Sequence, residues 1–405
     1  MSPPPPGERR RSGAGANLVL LLGSLLFAFL LCEIGARLLL PPQQIVRVIS
    51  STPASGESYA RVDTHEEGSI NSVILFGGTR GARLRPNTRS QILKHTLSGR
   101  DVLIEVNSSG LRYSELGKKG DDEFRVLVLG DSITLGDFVP EDETFTRQLE
   151  KLTDGRSKKI RFINAGIPGA GTMEELYLYQ EVRDRVEPDL VLVEMYLNDA
   201  QTAGEFYVKS IPPPFSRSRF LTWAANRVQI VGKTFFREGG VKIDPKWREG
   251  FRAGRDLHSG DMFNSKDGFD FEIYNAYMDF GVAWNPRSWE ILDGVVASLQ
   301  QETRGKGTPL AIALFPVHIQ VLGSYQDHYP QDRCRELCAR RGIPYLDILP
   351  ALRADWQAKN QKLFYDHCHY TPYGNTVVAR TILAGLDLEK VIPNSGPVAK
   401  RDPTR

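Results

Sequence analysis

The chain has 405 residues, of which 41% are hydrophobic and 25% charged, a composition typical of folded globular protein rather than of a disordered chain. Its 51 Lys and Arg residues nearly balance 49 Asp and Glu residues, so the net charge is only +2. This excludes nucleic acid as an expected partner, because binding to a phosphate backbone needs many uncompensated basic side chains. The four cysteines are too few for a disulfide framework, and pairing among Cys334, Cys338 and Cys368 is left open.

An apolar segment near the N-terminus is long enough to cross a membrane. Residues 1–16 are rich in proline and arginine, and residues 17–40 are apolar with charges only at Glu33 and Arg37. This pattern predicts a cytoplasmic basic tail and a transmembrane helix, because about twenty apolar residues span a bilayer. A cleaved signal peptide is the alternative, but no small-x-small site follows the apolar run. The positive-inside rule then places the remaining chain outside the cytoplasm, in a periplasmic or extracellular space.

Beyond this segment the chain changes from a β-rich pattern to alternating strands and helices. Residues 43–122 predict a small β-rich extension, because short alternating runs such as 101–106 are followed by turn-forming residues. Five buried strands are then predicted at residues 126–129, 161–166, 190–196, 309–316 and 343–349. Helical periodicity between them predicts an α/β fold over residues 123–390, with a doubly wound, mostly parallel five-stranded sheet. Its functional site is expected at the carboxyl ends of the strands.

Two further segments depart from this alternation. Residues 205–285, between the third and fourth predicted strands, are rich in proline, glycine and aromatic residues. We interpret them as an insertion whose aromatic side chains either form its own core or line an acyl pocket or lid. Residues 391–405 are rich in proline and are predicted to be a disordered tail.

A Gly-Asp-Ser tripeptide ending at Ser132 directly follows the first buried strand, which places this serine at the strand's carboxyl end. A serine hydroxyl is a weak nucleophile and needs an adjacent base. Far downstream, Asp366 and His369 precede a helix whose start is indicated by Thr371 as a cap and Pro372 in its first turn. His369 is therefore expected to accept the serine proton, while Asp366 holds the imidazole and stabilises its charged form.

The order of these motifs resembles the GDSL (SGNH) hydrolase family. The matching blocks are the GDS at Ser132, the glycine loop NAGIPGAGT after the second strand, the Asn-Asp pair that starts at Asn198, and the Asp-x-x-His that starts at Asp366. The resemblance implies an SGNH, flavodoxin-like fold and a triad of Ser132, His369 and Asp366. It also implies an oxyanion hole formed by the Ser132 N–H, the Gly169 N–H and the Asn198 side chain.

One block departs from the family pattern, because Tyr196 stands where a glycine is usual, two residues before Asn198. A tyrosine there either narrows the pocket or changes how the amide is presented. Asp199 is expected to hold this loop by local hydrogen bonds. Gly166 is the alternative to Gly169 as the glycine donor.

His367 and His369 form a His-x-His pair beside Asp366, which raises a metal site as an alternative. No second His or Cys cluster accompanies this pair, whereas a nucleophile block does, so we predict neither a metal nor a cofactor. His318, just after the fourth predicted strand, is interpreted as a surface or pocket-wall residue.

Together the residues predict a serine esterase that hydrolyses acyl or acetyl esters of an envelope or extracellular substrate through an acyl-serine intermediate. The expected partners are an ester-bearing small molecule, glycan or lipid, and a membrane that holds the N-terminal helix. One alternative is an O-acyltransferase acting on exported glycans, because the same acyl-enzyme can react with a sugar hydroxyl instead of water. A non-catalytic binding module is a further alternative, although the intact Ser132, Asp366 and His369 argue against it.

Overall fold

The computed structural model describes residues 13–39, 46–51, 59–62, 73–77, 81–199, 218, 220–221, 224, 264–276 and 279–393. The predicted insertion is largely outside these residues, as are residues 1–12 of the basic tail and residues 394–405 of the predicted disordered tail. The chain forms two compact units, one of Met1–Arg47 with Lys209–Lys242 and one of Val48–Val208 with Ile243–Arg405.

The first unit contains a long apolar helix, α1 (Gly13–Leu39). Its segment Asn17–Leu39 has a mean hydropathy of 2.4 and is long and apolar enough to cross a membrane. The Glu33 carboxylate pairs with Arg37 at 2.7 Å and accepts hydrogen bonds from Ser218 Oγ and the Phe220 N–H at 2.6 and 3.0 Å. The predicted apolar helix is therefore present, with a length and composition that a signal sequence would share.

The described strands before residue 123 form two small sheets. The first contains β1 (Val46–Ser51), β2 (Tyr59–Val62), β3 (Ile74–Gly77) and β4 (Gly81–Leu84), and the second pairs β5 (Thr88–Ile92) with β6 (Val102–Val106). In β6 the residues Val102, Ile104 and Val106 are buried in alternation, as the sequence pattern of residues 101–106 predicts. Several side chains of these strands share one hydrophobic core with the residues that follow.

A five-stranded parallel sheet lies at the centre of the second unit. Its strands are β7 (Glu123–Gly130), β8 (Lys159–Gly166), β9 (Leu190–Met195), β10 (Leu310–Leu314) and β11 (Tyr345–Asp347), in the order β11-β10-β9-β7-β8. Every pairing between neighbours is parallel. All residues of β9 and β10 are buried, as expected for strands covered on both faces. The predicted fold class is confirmed, and each strand overlaps its predicted segment.

Helices follow and separate these strands. They are α2 (Ser132–Leu135), α3 (Phe145–Leu152), α4 (Thr172–Val186), α5 (Lys266–Asn275), α6 (Pro286–Gly305), α7 (His318–Leu322), α8 (Tyr329–Arg341), α9 (Leu349–Lys359) and α10 (Pro372–Leu388). Thr371 caps α10 by accepting the Gly374 N–H at 3.1 Å, and Pro372 occupies the first turn. Among the aromatic residues of the predicted insertion, Phe269 is 1% exposed and packs on Trp284 and Tyr325, so it belongs to a core.

The strand order creates a switch point between β7 and β9. From β7 the chain moves to β8 at one edge of the sheet, then returns to β9 on the other side and continues to β10 and β11. The loops after β7 and β9 therefore diverge and leave a crevice at the carboxyl ends of the strands. Doubly wound sheets bind their ligands in such a crevice.

Candidate active site

Ser132 begins α2 immediately after β7. Asp131 caps this short helix, because its Oδ1 accepts the Ile133 N–H at 2.7 Å, and Gly136 ends the helix with a φ of 65°. The GDS tripeptide is therefore a tight turn from strand to helix. It places the Ser132 hydroxyl at the carboxyl end of β7, beside the switch point.

Two successive hydrogen bonds link Ser132 to His369 and His369 to Asp366. His369 Nε2 lies 2.9 Å from Ser132 Oγ, and His369 Nδ1 lies 2.7 Å from Asp366 Oδ2. Asp366 Oδ1 accepts the backbone N–H groups of Cys368 and His369 at 3.0 and 2.8 Å, which fixes the loop that carries the histidine. In this arrangement His369 can take the serine proton while Asp366 holds the imidazole tautomer.

Burial and hydrogen bonding act in opposite directions on this relay. Burial opposes the charged form of Asp366, but hydrogen bonds from the His369 side chain and from two backbone N–H groups lower its pKa below the ordinary value. Burial likewise opposes the imidazolium of His369, but the hydrogen bond to Asp366 and its charge raise the pKa of the histidine. The result is an ionised aspartate beside a histidine of increased basicity.

Phe138 packs against the side of the His369 ring. Its ring centroid lies 4.9 Å from that of His369 in an edge-on arrangement, and 6.0 and 6.5 Å from those of Tyr365 and His95. His95 follows β5, and its Nε2 lies 3.6 Å from Asp137 Oδ2. The Phe138 ring therefore packs both on His95, which belongs to the β-rich extension, and on His369. Phe138 could not be predicted from the sequence, because no motif marks an aromatic residue six positions after Ser132.

The structure separates the glycine candidates for the oxyanion hole. The Gly166 N–H already donates to Asn164 Oδ1 at 3.0 Å, and the Gly171 N–H donates to Glu174 Oε2 at 3.2 Å. Gly169 adopts a φ of +67°, and a Cβ there would meet nothing within 4 Å. The alternative Gly166 is therefore the weaker choice, because its N–H is already used. The role of the Gly169 N–H as an oxyanion donor stays a prediction.

The loop after β9 is closed by Asp199, as predicted. Asp199 Oδ2 accepts the Tyr196 N–H at 3.1 Å, and the Asp199 N–H donates to the Tyr196 carbonyl at 3.1 Å. The Tyr196 side chain is only 2% exposed and packs inside the protein. Asn198 lies between Tyr196 and Asp199 in the sequence, and its Oδ1 is buried without a hydrogen-bond partner in the described part of the chain. Its role as the third oxyanion donor stays a prediction.

A buried glutamate connects β9 to the nucleophile turn. Glu194 Oε2 accepts the Asp131 N–H at 3.2 Å and the Thr134 hydroxyl at 2.9 Å. Burial raises the pKa of Asp131 to about 6, and burial together with neighbouring carboxylates raises the pKa values of Glu194, Glu175 and Asp199 well above their usual range. These groups therefore bind protons more tightly than exposed carboxyls do. Glu194 could not be predicted as part of this site, because no sequence pattern marks a single glutamate within an apolar strand.

The loop that carries Asp366 and His369 also presents His367. His367 Nε2 lies 3.0 Å from Asp279 Oδ2, and the two side chains are 35% and 37% exposed. The His367 carbonyl accepts the His318 N–H at 2.8 Å. Burial lowers the pKa of His318 to about 4, so this histidine is neutral at physiological pH. That state suits the pocket-wall role predicted for it.

The residues closest to a metal-binding arrangement coincide with the relay itself. In the described part of the chain, Asp366, Cys368 and His369 offer ligand atoms within 4.8 Å of one another, and His367 is not in this group. Asp366 and His369 already share a hydrogen bond, and burial raises the pKa of the Cys368 thiol well above its usual range. Metals bind cysteine as the thiolate, and a thiol with a raised pKa keeps its proton. The arrangement of Asp366, Cys368 and His369 therefore fits a hydrogen-bonded relay better than a metal centre. All four cysteines are free.

Fold and site together define a class of protein: a doubly wound α/β domain with a serine-histidine-aspartate relay at the switch point of its sheet. No protein-family model matches the chain, and no curated protein matches it.

Solved structures are similar to about two thirds of the chain. One is LAE5, an alpha/beta hydrolase enzyme from the metagenome of Lake Arreo, at 14% identity and a TM-score of 0.38, covering 65% of this chain and 95% of that chain. Another is a member of the lipolytic protein G-D-S-L family from Veillonella parvula, at 12% identity and a TM-score of 0.34, covering 64% and 97%. A third is a catalytic mutant of Axe2, an acetylxylan esterase from Geobacillus stearothermophilus, at 13% identity and a TM-score of 0.36, covering 65% and 94%. With TM-scores this low, a function has to rest on the site's own geometry.

Proposed function

We propose that the chain is a serine esterase of the GDSL (SGNH) type. The observation that supports this is the continuous relay of 2.9 and 2.7 Å from Ser132 Oγ through His369 to Asp366. No cofactor enters the reaction.

In the first half of the reaction, Ser132 Oγ attacks the ester carbonyl carbon while its proton moves to His369 Nε2. The tetrahedral intermediate then collapses, and His369 returns the proton to the oxygen of the departing alcohol. This leaves an acyl-Ser132 ester. In the second half, His369 deprotonates a water that attacks the acyl group, and the carboxylic acid leaves as Ser132 regains its proton. Asp366 stays ionised throughout and stabilises the imidazolium.

The oxyanion that forms in both halves needs donors already in position. We assign the Ser132 N–H, the Gly169 N–H and the Asn198 side chain to this role. All three follow strands that end at the same edge of the sheet, since Ser132 follows β7, Gly169 follows β8 and Asn198 follows β9. Removing one such donor typically costs about 3 kcal/mol of transition-state stabilisation.

We further propose that α1 is a retained membrane anchor, with the N-terminus in the cytoplasm and the second unit outside it. The supporting features are the apolar span Asn17–Leu39 and the arginines at positions 9–11 before it. The substrate is then an ester of a small molecule, glycan or lipid in the periplasmic or extracellular space.

The test is hydrolysis of a chain-length series of p-nitrophenyl esters by the full chain in detergent. We expect turnover that disappears in Ser132→Ala and persists in Ser298→Ala, a matched change at an exposed serine of α6. A fluorophosphonate should label the wild type and fail to label Ser132→Ala.

Folded wild type that neither turns over any ester nor reacts with the fluorophosphonate would contradict the proposal and favour a binding module. Release of the acyl group only when a sugar acceptor is added would instead identify an O-acyltransferase that uses the same relay.

A further inference from the structure

The pair of His367 and Asp279 is held rigidly although it is only about one-third exposed. Asp279 starts a 3₁₀ turn, where its N–H donates to the Ala276 carbonyl at 2.8 Å and its own carbonyl accepts the Val282 N–H at 3.2 Å. Phe280, 5% exposed, packs on the His367 ring with centroids 5.5 Å apart. Exposed ion pairs contribute little to stability, so the fixed geometry of this pair points to another role.

The position of the pair relative to the reaction follows from the path of the proton. His369 Nε2 must give its proton to the oxygen of the departing alcohol, so that oxygen lies within about 3 Å of this nitrogen. The His367 ring centroid lies 6.4 Å from that of His369. Asp279 Oδ2 in turn lies 3.0 Å from His367 Nε2. The alcohol part of an ester therefore comes next to this pair.

We propose that Asp279 and His367 form the binding subsite for the alcohol, and that this alcohol is a polyhydroxy compound such as a sugar ring. The proposal rests on the proposed function, since it needs His369 to act on the ester. The Asp279 carboxylate accepts hydroxyl protons, and His367 Nδ1 is the ring nitrogen left for another hydroxyl while Nε2 bonds to Asp279.

The chemistry of the pair favours hydroxyl groups over an apolar alcohol. Hydrogen bonds to a carboxylate are about twice as strong as those between neutral groups, so vicinal hydroxyls of a sugar gain from this site. A lipid alcohol would instead cover the polar atoms of Asp279 and His367 with apolar atoms, which costs free energy because nothing replaces their hydrogen bonds to water. In a transferase reaction the same subsite would hold the acceptor sugar.

The experiment compares two acetyl esters on the full chain in detergent. One is p-nitrophenyl acetate, whose aryl leaving group has no spare hydroxyl, and the other is a mono-O-acetylated methyl glycoside. For Asp279→Asn we expect the ratio of kcat/KM, glycoside over aryl ester, to fall about tenfold or more, mainly through KM of the glycoside. Asp270→Asn is the matched control at an exposed ion pair of α5 and should keep the wild-type ratio.

A second variant tests whether the two side chains act as one unit. His367→Gln should lower the same ratio, and the double variant should lower it no further than the more affected single variant does. An unchanged ratio in both single variants, or equal losses on the two esters, would overturn the subsite while leaving the Ser132 chemistry intact. Absence of Ser132-dependent turnover of either ester by the folded wild type would overturn the subsite and the proposed function together.

Discussion

At His369, burial and a carboxylate act on the pKa in opposite directions, and the carboxylate prevails. The imidazole accepts the Ser132 proton only in its neutral form, so activity rises with pH through the pKa of His369. Because that pKa is raised, we expect the proposed activity to be lost at a higher pH on acidification than with an unperturbed histidine.

The first prediction concerns the acidic limb of the pH–activity profile, where activity falls as His369 becomes protonated. In a profile of kcat/KM against pH on p-nitrophenyl acetate, its midpoint should lie above about 6.5, the ordinary value for histidine. Asp366→Asn removes the partner that raises the pKa, so the limb should move to lower pH. It should also reduce kcat on the order of 10⁴-fold, because the imidazole is no longer held in the correct tautomer. A limb that stays in place in Asp366→Asn would show that Asp366 does not set the pKa of His369.

The second prediction concerns Glu175, which is 1% exposed and has no hydrogen-bond partner for either carboxylate oxygen in the described part of the chain. Burial raises its pKa, and the charges of Glu194 and Asp131 add to the rise. A raised folded-state pKa means that the stabilisation is complete below the unfolded value of about 4.3 and is lost as pH rises through the folded value.

Glu175→Gln removes this titration while keeping the shape of the side chain. The melting temperature of the variant relative to wild type should therefore be higher at pH 9 than at pH 5, by roughly 2–4 °C for each kcal/mol recovered. Thermal unfolding at the two pH values measures this difference. An equal shift at both would mean that Glu175 is ionised in the folded protein at pH 5 already.

At the scale of elements, α2 is fixed against β8 by close backbone contact. A Cβ at Gly166, the last residue of β8, would lie 2.1 Å from the Leu135 nitrogen, so the absence of a side chain lets strand and helix meet. Gly166→Ala should displace the helix that starts at Ser132, destabilise the fold by about 1–3 kcal/mol as overpacking does, and lower kcat. Gly294→Ala in α6 has open space around the new methyl group and should leave both unchanged or slightly raise stability. Denaturant unfolding and ester hydrolysis report the two effects.

Arg112 holds the other end of the same helix. It is 0% exposed, and its guanidinium donates to the carbonyls of Leu135, Gly136 and Val139 at 2.7, 2.6 and 2.9 Å. Burial lowers its pKa to about 10, so the side chain is still charged at neutral pH.

Arg112→Met should cost about 3 kcal/mol or more, because buried carbonyls lose charged donors. Arg112→Lys should rescue only part of this loss, because an ammonium cannot reproduce the planar fork. Unfolding by denaturant tests both variants, and full rescue by lysine would show that charge alone matters at this position.

The elements that the sequence predicts well are those with local signatures. The five core strands are continuous apolar runs, and short motifs at Ser132 and Asp366 mark three side chains that the structure joins by hydrogen bonds. Arg112, Phe138 and Glu194 could not be predicted in this way. Their partners are close in space but far along the chain, as for Glu194 and Thr134, which are 60 positions apart and joined by a hydrogen bond of 2.9 Å. Such contacts depend on which strands become neighbours, and this is known only once the sheet order is known.

At the scale of the whole molecule, the catalytic relay and the apolar helix belong to different compact units. The last prediction is that a chain lacking residues 1–42 is found in the soluble fraction and hydrolyses p-nitrophenyl esters with the kcat of the full chain. The reason is that no residue of the relay, of the nucleophile turn or of the proposed subsite lies in the deleted segment. Fractionation and kinetics measure both properties, and a truncated chain that stays with the membrane would contradict the single anchor.

The nucleophile and its base lie 237 positions apart in the chain. At ordinary rates of synthesis, roughly 10–50 s separate the emergence of these two residues from the ribosome. Throughout that interval the growing polypeptide carries a serine hydroxyl with no base, so it is inert towards esters in the compartment where it is made. Activity begins only when α10, near the end of the chain, has folded against the rest. If Ser132 and His369 act as proposed, the order in which they are synthesised therefore delays activity until the fold is nearly complete.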